Sequence, residues 1–140
     1  MTIPQCTEDA LLRDESFRAK PYRDSVGKLT IGIGRNLDDV GISEAEARVL
    51  LANDLQKVRD QIIFLFPWAK RLSAPRASVI ENMTFNMGSV RLLGFKKFLQ
   101  FIELGDYENA SAEMLDSVWA KQVGARAQRL SEQMKTGQWQ

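Results

Sequence analysis

Hydrophobic and polar positions follow two different periods along the 140 residues. Over most of the chain apolar residues recur every three or four positions, which is the spacing of an amphipathic helix. In "LTIGIG" the period changes to two, because Leu29, Ile31 and Ile33 alternate with small or polar residues. The pattern predicts a small β-hairpin or meander at about residues 20–36 in an otherwise helical chain, an α+β fold in which helices predominate.

The helices can be bounded from their capping residues and glycines. The longest is predicted over 43–66, where the capping box of Ser43 and Glu46 precedes an apolar stripe of Ala47, Leu50, Leu51, Leu55, Val58, Ile62 and Phe66. A short helix is predicted from Thr7 with Glu15 at or near its end, and others over 73–88, 94–105, 106–119 and 124–135. A β element beside such a helical body leaves a groove, a shape that holds extended polymers.

Composition limits the chemistry. The chain has no histidine and one cysteine, Cys6, so zinc sites and Ser-His or Cys-His nucleophiles are excluded, and neither a metal nor a cofactor is implied. We interpret Cys6 as a terminal or packing residue, because no histidine is present to activate it. Any catalysis must come from carboxylates, hydroxyls, lysine or arginine.

The lack of a signal-like or membrane-spanning segment, together with the single cysteine, predicts a cytoplasmic protein. No apolar run reaches the length of a membrane span, and the first residues do not resemble a signal or an anchor. Residues 1–60 carry 9 basic and 11 acidic groups and residues 61–140 carry 10 and 7, a mild bias that suits an anionic partner. A DNA-binding helical protein is an alternative, but neither a strong charge excess nor a recognition-helix pattern supports it.

Two acids stand where the first helix gives way to the hairpin. Glycoside hydrolysis requires a protonated carboxylic acid at the leaving oxygen and usually a second carboxylate, and Glu15 and Asp24 are the right types. Thr30, six residues after Asp24 across a turn, is placed to face the same cleft and orient a water. Gly32 and Gly34 keep side chains away, so the backbone can approach a ligand closely. A glycine-rich hairpin that merely turns is the alternative.

The run Glu15-x8-Asp24-x5-Thr30 followed by "IGIG" resembles the catalytic signature of the phage-type lysozymes, the endolysin muramidases of double-stranded DNA phages. Further segments similar to that family follow in the same order: "NMTFNMG" at 82–88, "GF" at 94–95, Trp119, Arg126, Arg129 and "TGQW" at 136–139. The resemblance covers nearly the whole chain, and the conjunction is specific although each segment alone is not.

The resemblance implies a fold and a reaction. It implies one lysozyme-like catalytic domain over 1–140, with a small β-hairpin lobe at about 13–42, a connecting helix at about 43–66, and a helical lobe at about 67–140 that includes the N-terminal helix. The family cleaves the β-1,4 bond between N-acetylmuramic acid and N-acetylglucosamine in peptidoglycan, and its better-known members invert the anomeric centre.

The family's roles transfer residue by residue. Glu15 would be the general acid, Asp24 the carboxylate that positions water or stabilises the oxocarbenium-like transition state, and Thr30 the hydroxyl that holds the water. The implied substrate-binding residues are Gly34, Phe85, Asn86, Gln122 and Arg126. Arg126 would approach Glu15 from the opposite lobe; a solvated helix face is the alternative for Arg126, and the core is the alternative for Phe85.

Other notable residues have plainer interpretations. Arg35 stands where many relatives have histidine after "IGIG", which fixes the charge there, and the segment between Asn36 and Ser43 is short. Packing is predicted for Met83, Met87, Trp68, Trp119 and Trp139, and a solubilising surface, rather than attraction to an anionic cell wall, for Arg91, Lys96 and Lys97.

The sequence therefore predicts a monomeric muramidase, an endolysin held in the host bacterial cytoplasm that requires a holin to reach peptidoglycan and has no nucleic-acid partner. A catalytically silent wall-binding module is disfavoured because Glu15, Asp24 and Thr30 are all present. A lytic transglycosylase, which ends in an anhydro sugar, is disfavoured because Asp24 is retained.

Overall fold

The computed structural model describes residues 3–140, which divide into two compact units, residues 3–50 and Leu51–Gln140. Across the described residues, eight α-helices accompany one three-stranded antiparallel sheet. The α+β, predominantly helical, lysozyme-like class predicted from the sequence is confirmed. None of the helices in this described part is long and apolar enough to cross a membrane.

The first unit contains one helix, a small sheet and the start of a second helix. In chain order these elements are α1 (Thr7–Glu15), β1 (Arg18–Arg23), β2 (Leu29–Gly32), β3 (Arg35–Asn36) and the first turns of α2 (Glu44–Leu65). The predicted short helix ends at Glu15 as expected. Its N-cap is the exposed Cys6 rather than Thr7, so the cysteine is terminal and does not pack.

The sheet follows the period of two in the sequence. Its order is β1-β2-β3, and Thr30 on the central strand pairs with Tyr22 on one side and Asn36 on the other. Among residues 3–50, Thr30 is the one buried residue, with 4 % of its surface exposed. The residue at the centre of the sheet is therefore the threonine that the sequence analysis names as a catalytic candidate.

Helix α2 confirms the longest predicted helix to within one residue at each end. Its capping box is formed: the Ser43 backbone N–H donates to Glu46 Oε1 at 3.0 Å, and the Glu46 N–H donates to Ser43 Oγ at 3.1 Å. The apolar stripe is buried near its end, at Ile62 and Phe66, whereas Leu50 and Leu51 remain exposed.

The second unit is helical. After a short 3-10 helix at Pro67–Arg71 come α3 (Ala74–Met87), α4 (Ser89–Leu93), α5 (Lys96–Glu103), α6 (Tyr107–Leu115), α7 (Val118–Val123) and α8 (Ala125–Thr136). The prediction of one helix over 106–119 was wrong, because the chain breaks at Ser117. Its hydroxyl donates to the Met114 carbonyl and accepts from the Ala120 N–H, so it ends one helix and caps the next.

The core of the second unit is built from large side chains of several helices. The largest fully buried residues are Val79, Ile80, Met83, Leu92, Phe98, Ile102, Met114, Trp119 and Met134. The packing roles predicted for Met83 and Trp119 are thereby confirmed, and Met87 and Trp68 pack half-buried against the same core.

Candidate active site

The carboxyl group of Glu15 lies against the backbone at Gly34. Glu15 is the last residue of α1, and Gly34 follows β2 in a left-handed conformation with φ +72°. A β-carbon added at Gly34 would lie 2.8 Å from Glu15 Oε2 and 3.0 Å from its Cδ, closer than real β-carbons approach other atoms. Glycine is favoured here for two reasons: it adopts the left-handed conformation without strain, and its lack of a β-carbon leaves Glu15 the position that it occupies.

Asp24 heads the turn between β1 and β2. One oxygen, Oδ1, accepts the backbone N–H groups of Val26 at 3.0 Å and Lys28 at 2.8 Å. The Asp24 backbone closes the same turn, because its N–H donates to the Lys28 carbonyl and its carbonyl accepts from the Gly27 N–H. Within residues 3–140, Oδ2 has no hydrogen-bond or ion-pair partner. The turn thus fixes the carboxylate and leaves one oxygen available.

Thr30 is more enclosed than a cleft-facing residue was expected to be. Its hydroxyl donates to the Lys28 carbonyl at 2.9 Å, so its single proton is already used. The lone pairs of the oxygen can still accept a hydrogen bond. The first unit thus contains all three of the predicted catalytic residues, on α1, the β1–β2 turn and β2.

Arg35 binds a carboxylate that the sequence analysis did not assign to it. Its guanidinium meets Glu46 with two short contacts, Nη1 to Oε1 at 2.8 Å and Nη2 to Oε2 at 2.6 Å, and also donates to the Gly41 carbonyl at 3.2 Å. Hydrogen bonds from Arg35, and then from Ser43, lower the pKa of Glu46 from 4.5 to about 2. The charge of Arg35 is fixed, as expected, and it is also neutralised.

The substrate-binding residues predicted in the second unit are in contact with protein groups. Asn86 Oδ1 accepts the indole N–H of the buried Trp119 at 2.9 Å, and Gln122 Oε1 accepts from Arg91 Nη2 at 2.7 Å. Phe85 is 46 % exposed, so the alternative of a core position is wrong for this residue. The side-chain N–H₂ groups of Asn86 and Gln122 remain available as hydrogen-bond donors.

Arg126 is held within the second unit by Asn82. Its Nε donates to Asn82 Oδ1 at 2.8 Å, and both residues line a pocket of about 510 Å³. The same pocket is bordered by Trp139, for which packing was predicted wrongly, since 64 % of its surface is exposed. Trp139 follows Gly137, which is left-handed, and Gln138. It therefore lies outside any periodic pattern, and its exposure could not have been predicted from the sequence.

No group of three or more His, Cys, Asp or Glu side chains comes together as a metal site in the part of the chain that the structure describes.

Known proteins with similar sequences identify the family. A family model for phage lysozyme matches residues 13–135, nearly the whole chain. Probable T4-type lysozyme 1 of Dictyostelium discoideum is 30% identical over 93% of this chain and 94% of that protein. The SAR-endolysin of Escherichia phage Mu is 29% identical over 83% of this chain and 68% of its own length.

A third relative is much longer than this chain. The pre-baseplate central spike protein of Enterobacteria phage T4 is 29% identical over 92% of this chain, which spans 27% of the spike protein.

The family model and the relatives agree. This chain belongs to the phage lysozyme family and is a lysozyme-type glycoside hydrolase.

Proposed function

We infer that this chain hydrolyses the β-1,4 bond between N-acetylmuramic acid and N-acetylglucosamine in bacterial peptidoglycan. Glu15 is the general acid that protonates the leaving oxygen, Asp24 is the carboxylate that acts on the water or the developing cation, and Thr30 holds the water. Family membership supports the reaction class, and the arrangement of the first unit supports the assignment of roles.

The contact between Glu15 and Gly34 carries the proposal. The C-terminal end of a helix is an unfavourable place for a negative charge, so stability of α1 does not explain a glutamate there. The glutamate is nevertheless matched by a glycine that leaves just enough space for its carboxyl group. A sugar bound over this exposed carboxyl would place its glycosidic oxygen within hydrogen-bonding reach of the acid.

Asp24 and Thr30 supply complementary functions. The free Oδ2 of Asp24 can accept a proton from water or face a positive anomeric carbon, while Oδ1 keeps the carboxylate in place. The Thr30 hydroxyl can only accept a hydrogen bond from water, because it donates its own proton to the Lys28 carbonyl. A water whose proton points at Thr30 presents a lone pair elsewhere, as a nucleophile must.

A turbidity assay tests this function. Purified peptidoglycan suspended with the wild-type protein should clear, whereas the Glu15→Gln protein, which keeps shape but has no transferable proton, should leave the suspension turbid. Matched circular dichroism spectra and unfolding temperatures are the control for folding. Clearing by a folded Glu15→Gln protein at the wild-type rate would remove Glu15 from its role.

The biological setting proposed is lysis of the host cell from within. The enzyme would act as a monomeric endolysin that waits in the bacterial cytoplasm until a holin permeabilises the membrane. Expression in a bacterial host with and without a co-expressed holin tests this. Lysis only on co-expression supports the proposal, and equally fast lysis without a holin contradicts it.

A further inference from the structure

One peptide group in the first unit contacts both of the residues proposed to act on water. Its carbonyl, on Lys28, accepts the hydroxyl proton of Thr30 at 2.9 Å and the backbone N–H of Asp24 at 2.9 Å. Its N–H, on Leu29, points to the opposite side, because the two groups of a trans peptide lie in one plane and face away from each other. The orientation of this single plane therefore sets the direction in which the Thr30 hydroxyl donates its proton.

Asp38 binds the other side of the same peptide group. Its Oδ2 accepts the Leu29 N–H at 2.7 Å, at the short end of the range for a backbone donor. Strand β3 ends at Asn36, so the Asp38 carboxylate takes the position that a carbonyl would have in a longer strand. The acceptor for the Leu29 N–H is thus an acidic side chain instead of a neutral carbonyl, and hydrogen bonds to ionised groups are stronger.

The turn that carries Asp38 is anchored to the sheet. Asn36 pairs with Thr30 across β2 and β3, and its Oδ1 accepts the backbone N–H of Asp39 at 2.9 Å. On the β1 side, Arg23 Nη1 lies 3.7 Å from Asp38 Oδ2. The carboxylate therefore reaches the peptide group from a segment that is itself tied to the strands on both sides of β2.

We propose that Asp38 is a positioning residue for hydrolysis, which holds the Lys28–Leu29 peptide and thereby directs the Thr30 hydroxyl proton away from the attacking water. A hydrogen bond from the peptide N–H to a carboxylate polarises the peptide and makes its carbonyl a stronger acceptor. The proton of Thr30 stays on Lys28, and the Thr30 oxygen offers water only its lone pairs. The role of Thr30 rests on the proposed function, whereas its connection to Asp38 rests on these hydrogen bonds.

Kinetics on soluble peptidoglycan fragments test this role. Asp38→Ala removes the acceptor and should lower kcat roughly tenfold, while KM changes by less than about twofold because the water and not the sugar loses its orientation. Asp38→Asn keeps an acceptor oxygen without the charge, so it should recover part of the loss, and it is the variant to use if Asp38→Ala does not fold. A wild-type kcat in the folded Asp38→Ala protein would overturn the proposal.

The neighbouring acid provides a matched control. Asp39 contacts the side chain of Lys28, with 3.1 Å between Oδ1 and Nζ, instead of the peptide group. Asp39→Ala therefore removes an equal charge from the same turn and should keep the wild-type kcat. Equal losses of kcat in Asp38→Ala and Asp39→Ala would show a general effect of charge or of the turn, and would contradict a specific role for Asp38.

A double substitution separates positioning from general structural damage. Thr30→Val removes the hydroxyl and nearly keeps the shape of the side chain. If Asp38 acts through that hydroxyl, adding Asp38→Ala to the Thr30→Val protein should lower kcat by less than about twofold further. Independent structural damage would multiply the two losses, so a further loss of roughly tenfold would contradict the proposal.

A conformational measurement tests the same connection without turnover. Three-bond NMR couplings at Thr30 give the fraction of molecules in the χ1 rotamer that directs the hydroxyl at the Lys28 carbonyl. This fraction should fall in Asp38→Ala and stay at the wild-type value in Asp39→Ala, and an equal fraction in all three proteins would overturn the proposal.

The two kinds of measurement distinguish this proposal from the proposed function. A wild-type kcat in the Thr30→Val protein would contradict the catalytic role of Thr30. The couplings would still decide whether Asp38 positions the Thr30 hydroxyl.

Discussion

The carboxyl group of Glu15 occupies the space that a side chain at residue 34 would need: a β-carbon on Gly34 would lie 2.8 Å from Glu15 Oε2. The two residues are 19 positions apart in sequence and belong to different elements, the end of α1 and the turn after β2. The backbone at Gly34 therefore limits the positions that the Glu15 carboxyl group can occupy.

Gly34→Ala should reduce activity far more than stability. The left-handed backbone costs alanine about 1–2 kcal/mol, and the flexible end of Glu15 can swing away from the new methyl group, so the fold should survive with its acid displaced. Gly105→Ala is the matched control, because Gly105 has φ +77° with nothing within 4 Å of a β-carbon. Both proteins should lose similar free energy of unfolding, while only Gly34→Ala should lose kcat/KM. Equal kcat/KM in the two variants would argue against the Glu15–Gly34 contact as the source of the effect.

Two substitutions of Asp24 should separate its contribution to catalysis from its contribution to folding. Asp24→Asn keeps an Oδ1 that accepts the Val26 and Lys28 N–H groups, so its unfolding temperature should stay near that of the wild type while its activity is nearly lost. Asp24→Ala should lose activity and also roughly 2 kcal/mol of stability, because two turn N–H groups lose their acceptor. Thermal unfolding and peptidoglycan clearing of both variants provide the comparison. A fully active Asp24→Asn protein would contradict the role of its charge.

Asn86 should prove partly structural. Removing its side chain leaves the indole N–H of the buried Trp119 without an acceptor, which should cost about 1–3 kcal/mol. Urea unfolding of Asn86→Ala measures this cost, and Gln122→Ala, whose partner Arg91 is exposed and can turn to water, is the control. If Asn86→Ala is as stable as the wild type and only its KM changes, its role is substrate binding alone.

The ion pair between Arg35 and Glu46 should make stability depend on pH in the acid range. The pKa of Glu46 is lowered from 4.5 to about 2 in the folded protein, so the unfolded chain binds its proton first as pH falls. Its stabilising contribution is present above pH 4.5 and is lost as the pH falls toward 2. The difference in unfolding free energy between the wild type and Glu46→Gln should be constant near neutrality and shrink across that window.

A second acid on the same helix provides the control for that titration. Glu44 meets Arg48 on an exposed face at 2.8 Å, an arrangement that typically contributes little. Glu44→Gln should therefore follow the wild type throughout. A Glu46→Gln difference that does not change between pH 4.5 and 2 would contradict the assignment of the shift to the Arg35 and Ser43 hydrogen bonds.

Local signals in the sequence were enough to predict the elements that place the candidate site. The capping box at Ser43 located α2, the period of two located the sheet with Thr30 at its centre, and α1 ends at Glu15 as expected. These features depend on neighbours a few residues away, so they can be read from a single sequence. The break at Ser117 was missed because the apolar period continues across it, from Met114 and Leu115 to Val118 and Trp119.

Contacts between distant residues could not be predicted. Nothing local shows that Arg35 meets Glu46, that Asn86 accepts from Trp119 33 residues away, or that Trp139 lies exposed beside Arg129. Each depends on how separate elements pack. Residue type indicates what a side chain can do, whereas its partner in the folded chain decides which of those capacities remain free.

The most direct measurement is digestion of purified peptidoglycan in ¹⁸O-labelled water by the wild-type and Glu15→Gln proteins, with mass spectrometry of the released fragments. The proposed mechanism predicts reducing muramic-acid ends that carry one ¹⁸O with the wild type and no such ends with Glu15→Gln. Unlabelled anhydro ends, or labelled reducing ends that persist in the folded Glu15→Gln protein, would contradict it.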